Sequence, residues 1–224
     1  MKKILFVTLA LLVSSGVFAQ KFRFGFKGTT GYSGFKALTK SVEDNGGKLA
    51  YGYGIMLDWN LGTHYAFSTG IDMAYKGGSL KYLIDSVAGT SKINLQYVQI
   101  PIGLKMKTGE IGYMTYFLNV GTSVGIRVST NGDYNLKDGA ITFVNAKDSS
   151  LRDYINPVAL SLLISGGVEY NITGNTSLVL SLLFDNSFLD VLKNDIKSNA
   201  TGETITRDMG ARVNVIGLSL GIFF

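Results

Sequence analysis

Cysteine is absent from the 224 residues, which excludes a disulfide framework, a thiolate metal site and a lipid anchor attached through sulfur. A single histidine, His64, leaves no material for a histidine-built zinc site or a histidine-based triad. Charged residues make up only 17% of the chain and the basic ones never form a run. Nucleic-acid binding needs a clustered basic face and is excluded on that ground. Beyond the first twenty residues no segment approaches 18 consecutive apolar positions, so a helical membrane span is excluded there as well. Proline occurs only at Pro101 and Pro157.

What is present begins with a targeting segment. "MKKILFVTLALLVSSGVFAQ" reads as two lysines, an apolar core from Ile4 to Val13, and a small-residue exit with Val17 and Ala19 at −3 and −1. That is the pattern of a secretory signal peptide cleaved after Ala19. The expected division is therefore a signal over 1–19 and a single domain over 20–224. Losing Lys2 and Lys3 lowers the formal charge from +5 to +3.

From Phe22 onward apolar residues alternate with small or polar ones, the period of a β-strand. "LAYGYGIMLDWNL" is the clearest case, with Leu49, Tyr51, Tyr53, Ile55, Leu57, Trp59 and Leu61 on one face. Eight such segments are expected, at 22–33, 49–61, 65–76, 93–107, 113–129, 157–172, 177–188 and 208–224. Two of them change phase, between Leu95 and Val98 and between Val215 and Ile216. Each change predicts a β-bulge, one near Tyr97 and one near Val215. Pro101, which lacks a ladder donor, predicts irregular pairing in the fourth strand. The connections alternate long (34–48, 77–92, 130–156, 189–207) and short (62–64, 108–112, 173–176), so all long loops leave one end of an up-and-down meander. Within the third long loop, Asp138-Gly139 between strand-like flanks predicts a hairpin. "FLDVLKND" in the fourth suggests one helical turn.

The less apolar face decides the environment. In "VALSLLISGGVEYNI" it reads Ala159, Ser161, Leu163, Ser165, Gly167, Glu169, Asn171, a poor surface for water and a good filling for a narrow interior. The dense aliphatic and aromatic face fits lipid. About twelve residues at roughly 3.4 Å each, tilted by roughly 40°, cover the hydrocarbon thickness. Aromatics fall near both expected interfaces: Phe22, Trp59, Tyr65 and Tyr170 at the short-turn end, Tyr32, Tyr51 and Tyr75 at the other. The expected fold is all-β, an eight-stranded antiparallel up-and-down transmembrane barrel. Its lumen is read as filled by small and polar residues. Closure is required because an open edge in lipid leaves backbone groups unsatisfied.

The fourth strand reads "YVQIPIGLK", Tyr97 to Lys105. That Tyr-x-x-Ile-Pro-x-x-x-Lys form, with a signal ending near Ala-Gln, resembles the Bacteroidetes "porin family" or PorT-like outer-membrane barrels. In architecture the chain is also similar to the small OmpX and OmpA-type barrels. The resemblance implies a place in the membrane and little about role, since members of such families differ widely.

Inside an eight-stranded barrel there is room only for side chains. The inward row carries Arg23, Lys27, Lys76, Lys105, Lys107 and Arg127 beside Asp58, Asp72, Glu169 and Asp185. Each must be paired or hydrated. They are read as a salt-bridge plug, with a narrow conduit for small anions as the alternative. No catalytic, cofactor or metal residues are expected, because His64 falls in a short turn and nothing else supplies a base near neutral pH. Asp85-Ser86-Val87 resembles a Bacteroidetes O-glycosylation acceptor in a long loop, whereas the sequon at Asn199 needs eukaryotic machinery to matter. The long loops carry almost no net charge and form no basic cluster. Their expected role is structural or interactive, in adhesion, envelope integrity or accessory work in secretion. A narrow porin for small solutes is the alternative. The partners expected are outer-membrane lipid, the outer-membrane assembly machinery and an unidentified extracellular or secretion-complex protein, with no nucleic acid.

The last residues, "VIGLSLGIFF", place Ile216, Leu218, Leu220, Ile222 and Phe224 on alternate positions. This resembles the C-terminal signal read by the assembly machinery. Deleting Phe224, or appending a charged tail, is expected to slow insertion far more than it destabilises a finished barrel. Insertion kinetics equal to those of the unaltered chain refute the signal.

Overall fold

The structure, a computed structural model, describes residues 22–38, 42–84, 87–138, 141–150, 155–174, 176–193, 195–197, 204–206 and 210–224. The signal segment, Asp85, Ser86 and the Asn199 sequon lie outside them. Eleven strands follow in order: β1 (Phe22–Ala37), β2 (Val42–Asn60), β3 (Tyr65–Ile84), β4 (Val87–Lys107), β5 (Met114–Asp138), β6 (Ile141–Ser150), β7 (Val158–Thr173), β8 (Thr176–Ser187), β9 (Asp195–Lys197), β10 (Thr204–Thr206) and β11 (Ala211–Phe223).

Eight of these strands form a closed antiparallel ring, β1-β2-β3-β4-β5-β7-β8-β11, and β11 returns to β1. The seam runs without a register shift from Gly25↔Phe223 to Ala37↔Ala211. Every strand alternates, so the lipid-facing row of each is apolar. In β11 that row is Ile216, Leu218, Leu220 and Ile222, continued by Phe224 just past the strand, and in β1 it is Phe22, Phe24 and Phe26. The expected interfacial aromatics Phe22, Trp59, Tyr65, Tyr170, Tyr32 and Tyr51 are all exposed on this outer surface. Two of the short turns pass through the left-handed region at Gly112 (φ 67°) and Gly174 (φ 55°), where a Cβ is costly.

Three readings of the sequence need correction. First, the segments taken as long loops are largely strand. β1 to β5 run on past the apolar band, and β5 and β6 pair as the expected hairpin, closing at Asp138↔Ile141. A second, two-stranded piece pairs β9 with β10. Second, 188–193 forms bends and one bridge, Ile155↔Leu192, and no helix occurs among the described residues. Third, there is no bulge near Val215, since β11 keeps its register with both neighbours. Val213 and Val215 are buried because the barrel interior itself turns apolar at that height.

The shift near Tyr97 is real but belongs to the next strand. Gln96 pairs with Ser129 and Tyr97 with Arg127, so the extra residue is Val128 of β5. β4 keeps one facing throughout: Ser91, Ile93, Leu95, Tyr97, Gln99, Pro101 and Lys105 are all buried. Around Pro101 the β3–β4 ladder skips from Thr69↔Ile102 to Asp72↔Gln99, and Thr69 Oγ1 donates to the Pro101 carbonyl at 2.8 Å.

At the seam, Gly31 and Gly217 face each other across the ladder. A Cβ on Gly31 would run into the Ile216 carbonyl oxygen and the Gly217 Cα. Gly31→Val is therefore expected to prevent closure. On SDS gels the unaltered protein should show heat-modifiable migration in the outer-membrane fraction. The variant should run as unfolded chain at every temperature, and a normal folded band from it contradicts the seam.

Candidate functional site: the barrel lumen

The ten charged residues expected inside all sit on inward positions, but they do not form one network. They fall into two cages stacked along the barrel axis, with Lys107 and Arg127 at the ends.

The lower cage, at the short-turn end, is centred on Lys105 of β4. Its Nζ lies 2.7 Å from Asp58 Oδ2 on β2 and 2.5 Å from Glu169 Oε1 on β7. Glu169 Oε2 also accepts from Arg23 Nη1 at 2.6 Å. Arg23 Nη2 donates to Ser177 Oγ at 2.9 Å, and that hydroxyl donates to Asn171 Oδ1 at 2.9 Å. Glu169 and Asp58 are 2% and 0% exposed, so unpaired carboxylates here carry a large desolvation cost. Lys107 lies at the short-turn edge and donates to Asn60 Oδ1 at 2.6 Å.

Two aromatic rings complete this cage, and the sequence reading missed them. The Phe223 ring lies 4.4 Å from Arg23 Cζ and 4.8 Å from Lys105 Nζ, and the Phe117 ring lies 4.4 Å from Lys105 Nζ. Each supplies a negatively polarised face to a cation held out of water. The signal that identifies them is parity: Phe223 falls between the lipid-facing Ile222 and Phe224, and Phe117 between Tyr116 and Leu118.

The upper cage holds two pairs. Lys27 Nζ lies 2.8 Å from Asp72 Oδ2, and Lys76 Nζ lies 3.1 Å from Asp185 Oδ2. The Tyr97 ring stands 5.5 Å from Lys76 Nζ. Small side chains fill the wall between, and two cavities there measure about 70 and 60 Å³. Each has room for only a few water molecules.

Above the cages the lumen is closed by apolar packing. Phe35, Val42, Leu80, Ile93, Leu95, Tyr97, Ile155, Ala159, Val191, Leu192, Ala211 and Val213 form one buried cluster. Arg127 lies beneath the 155–157 segment and donates to the Ile155 carbonyl. The expectation that small and polar residues fill the whole interior thus holds only for its lower part. His64 is exposed in the β2–β3 turn, its carbonyl accepting from Lys107 N at 2.7 Å. Among the described residues no three His, Asp or Glu side chains cluster as metal ligands.

The pairs differ in the span they bridge. Lys105–Asp58, Lys27–Asp72 and Lys105–Glu169 each skip one strand, whereas Arg23–Glu169 skips β11 and β8, and Lys76–Asp185 joins β3 to β8 on the opposite side of the ring. The wider pairs tie together strands that the backbone ladder does not join.

Comparison with known proteins returns one family, described as outer membrane protein beta-barrel domain, matching residues 18–206. No curated protein matches in sequence. Among solved structures the chain is similar to the Neisserial surface protein A, NspA, at 10% identity and TM-score 0.45, covering 89% of this chain and 96% of that one. It is similar to Ail of Yersinia pestis, solved with the heparin analogue sucrose octasulfate, at 13% identity and TM-score 0.41, covering 91% and 99%. The outer membrane protein OprG of Pseudomonas aeruginosa is similar at 10% identity and TM-score 0.41, covering 89% and 93%.

Glu169 is the carboxylate that serves two cations. Glu169→Ala is expected to destabilise the folded barrel by about 3–5 kcal/mol, since it leaves buried positive charge short of a partner. Replacing the whole Lys76–Asp185 pair by Met and Leu is expected to cost little by the same reasoning. Denaturant unfolding in lipid, followed by the fluorescence of the single tryptophan Trp59, measures both. Equal losses from the two variants would mean that the cage geometry is not what stabilises the barrel.

Proposed function

The chain belongs to the outer membrane protein beta-barrel domain family, and from that premise we infer that it is an interaction protein of the outer membrane rather than a pore. The observation that carries this reading is an open sheet edge. Beyond the ring, β5 pairs with β4 on one side and β6 on the other, and β6 pairs with β5 alone among the described strands. A strand with one free edge presents unpaired backbone donors and acceptors, which an extended segment of another protein satisfies by adding a strand. Long loops and short turns place that edge on the extracellular side, as in barrels of this kind.

The alternative, a narrow porin, has less support. An anion entering from the periplasm meets Lys107 and Arg23, then the paired lower cage, the paired upper cage and finally the apolar cluster. Six bases against four acids give the lumen a positive bias, yet eight of those ten residues are tied up in ion pairs with one another. Among the described residues His64 lies in an exposed turn and lines none of the lumen cavities. The Tyr97–Lys105 stretch supports a finer kinship with the Bacteroidetes porin-family or PorT-like barrels. The alternating C-terminal row supports recognition by the assembly machinery.

The expected result in a planar bilayer is conductance near zero. Replacing Ile141–Ser150 by a short flexible linker is expected to leave heat-modifiable folding intact while abolishing cross-linking to the extracellular partner in whole cells. Steady ion flux, or a cross-linked partner retained by the linker variant, overturns the reading.

A further inference from the structure

The outer wall carries a polar patch away from the open edge, backed by Lys76 and Leu95 of the lumen wall. On β4 the lipid-facing row is aliphatic at Leu104, Ile102, Ile100 and Val98, then becomes Gln96, Asn94 and Lys92. Its neighbours change at the same height. β3 passes from Ile71 and Met73 to Tyr75, and β2 from Ile55 to Tyr53 and Tyr51. The patch therefore sits where the hydrocarbon ends on the extracellular side.

Two irregularities shape it. β2 shifts register between Gly47↔Gly78 and Tyr51↔Tyr75, which exposes Lys48 beside Leu49. β5 gains Val128, which changes the facing of the strand and leaves Asn131 exposed. Between them lies a depression of about 340 Å³, lined by Lys48, Tyr51, Tyr75, Asn94, Gln96 and Asn131 among others. Its groups are already organised. The Tyr51 and Tyr75 rings stack at 4.6 Å and 14°, with the Tyr53 ring 6.4 Å from Tyr75. Gln96 Nε2 donates to Tyr75 Oη at 3.1 Å, and Lys48 Nζ donates to Asn94 Oδ1.

We propose that this depression binds the headgroup of a phosphorylated glycolipid of the outer leaflet. The membrane supplies the occupant, because the patch begins at the last lipid-facing aliphatic residue and any molecule filling it stands in the headgroup layer. Three side-chain amides donate to and accept from sugar hydroxyls. Tyrosine rings offer apolar faces to the C–H side of a sugar, with a hydroxyl at the wet end. Lys48 supplies the cation for a phosphate. Val98, Ile100 and Ile102 below give acyl chains an apolar wall. A small zwitterionic headgroup uses the cation and gains nothing from the amides and rings.

The test uses the full mature chain, folded in detergent and offered lipid A, lipid A stripped of its phosphates, or phosphatidylethanolamine, with retained lipid read by native mass spectrometry. Lipid A is expected to be retained about tenfold better than either alternative, and Lys48→Ala with Gln96→Leu to lower that retention about tenfold. Heat-modifiable migration checks that this variant folds. Should it not, Asn94→Leu alone, which suits a lipid-facing position, is expected to show a smaller loss in the same direction. Equal retention of phosphatidylethanolamine or of the dephosphorylated lipid overturns the proposal. So does undiminished retention by whichever variant folds.

Discussion

A peptide group left unpaired in hydrocarbon costs several kcal/mol, and water is not at hand to relieve it. Everything in this barrel follows from that constraint. The first and last strands of the ring must meet in register, so the seam between β1 and β11 runs unbroken over thirteen residue pairs. It does so by close approach, with Gly31 opposite Gly217. Register shifts are then pushed to where water reaches, the one in the β7–β8 pair at Asn171 lying at the short-turn end, while the interrupted pairing at Pro101 stays within the apolar band. The shifts in β2 at Gly47, in β5 at Val128 and in the β5–β6 pair all lie toward the extracellular end.

Closure also fixes what the interior must do. Eight strands leave a bore that side chains fill, and the charged residues placed there have to neutralise one another. The lower cage shows the geometry this takes. One lysine is shared by two carboxylates, one carboxylate by two cations, and two phenylalanine rings take the remaining faces of the cations. Pairs that cross the bore serve shape as well as charge, because they join strands that the hydrogen-bonded ladder never brings together. Ion pairing of this kind is weak evidence for net stability. Its worth here lies in blocking the bore and in penalising any ring that closes with a strand out of register.

Much of this was legible in the residues, for a physical reason. A strand of a membrane barrel is constrained on both faces, by lipid outside and by a narrow bore inside, so parity in "LAYGYGIMLDWNL" determines where each side chain points. The hairpin at Asp138-Gly139 was legible from turn chemistry. Apart from the helical turn expected after Phe188, the errors come from one assumption, that the interior keeps the same polarity along its length. Val213 and Val215, like Ile93 and Leu95, looked like residues that had lost phase, when in fact they had crossed from the polar cages into the apolar cluster. The same assumption ended the strands too early, since pairing above the membrane needs no lipid-facing row. Phe223 and Phe117 were passed over because an aromatic in a lumen row contributes no charge. Which carboxylate meets which cation was beyond reach, because partners in a ring are set by strand stagger rather than by spacing along the chain.

The apolar cluster that caps the lumen gives the molecule two regimes of cohesion. Below it, the outer surface rests against lipid tails and the polar interior is held by charge. At the cluster, apolar side chains turn inward and are sheltered from water in the manner of a soluble domain. Attraction of that second kind is entropic near room temperature and fades on cooling, whereas ion pairing does not depend on it. Cooling thus weakens the cohesion of the cluster relative to that of the cages.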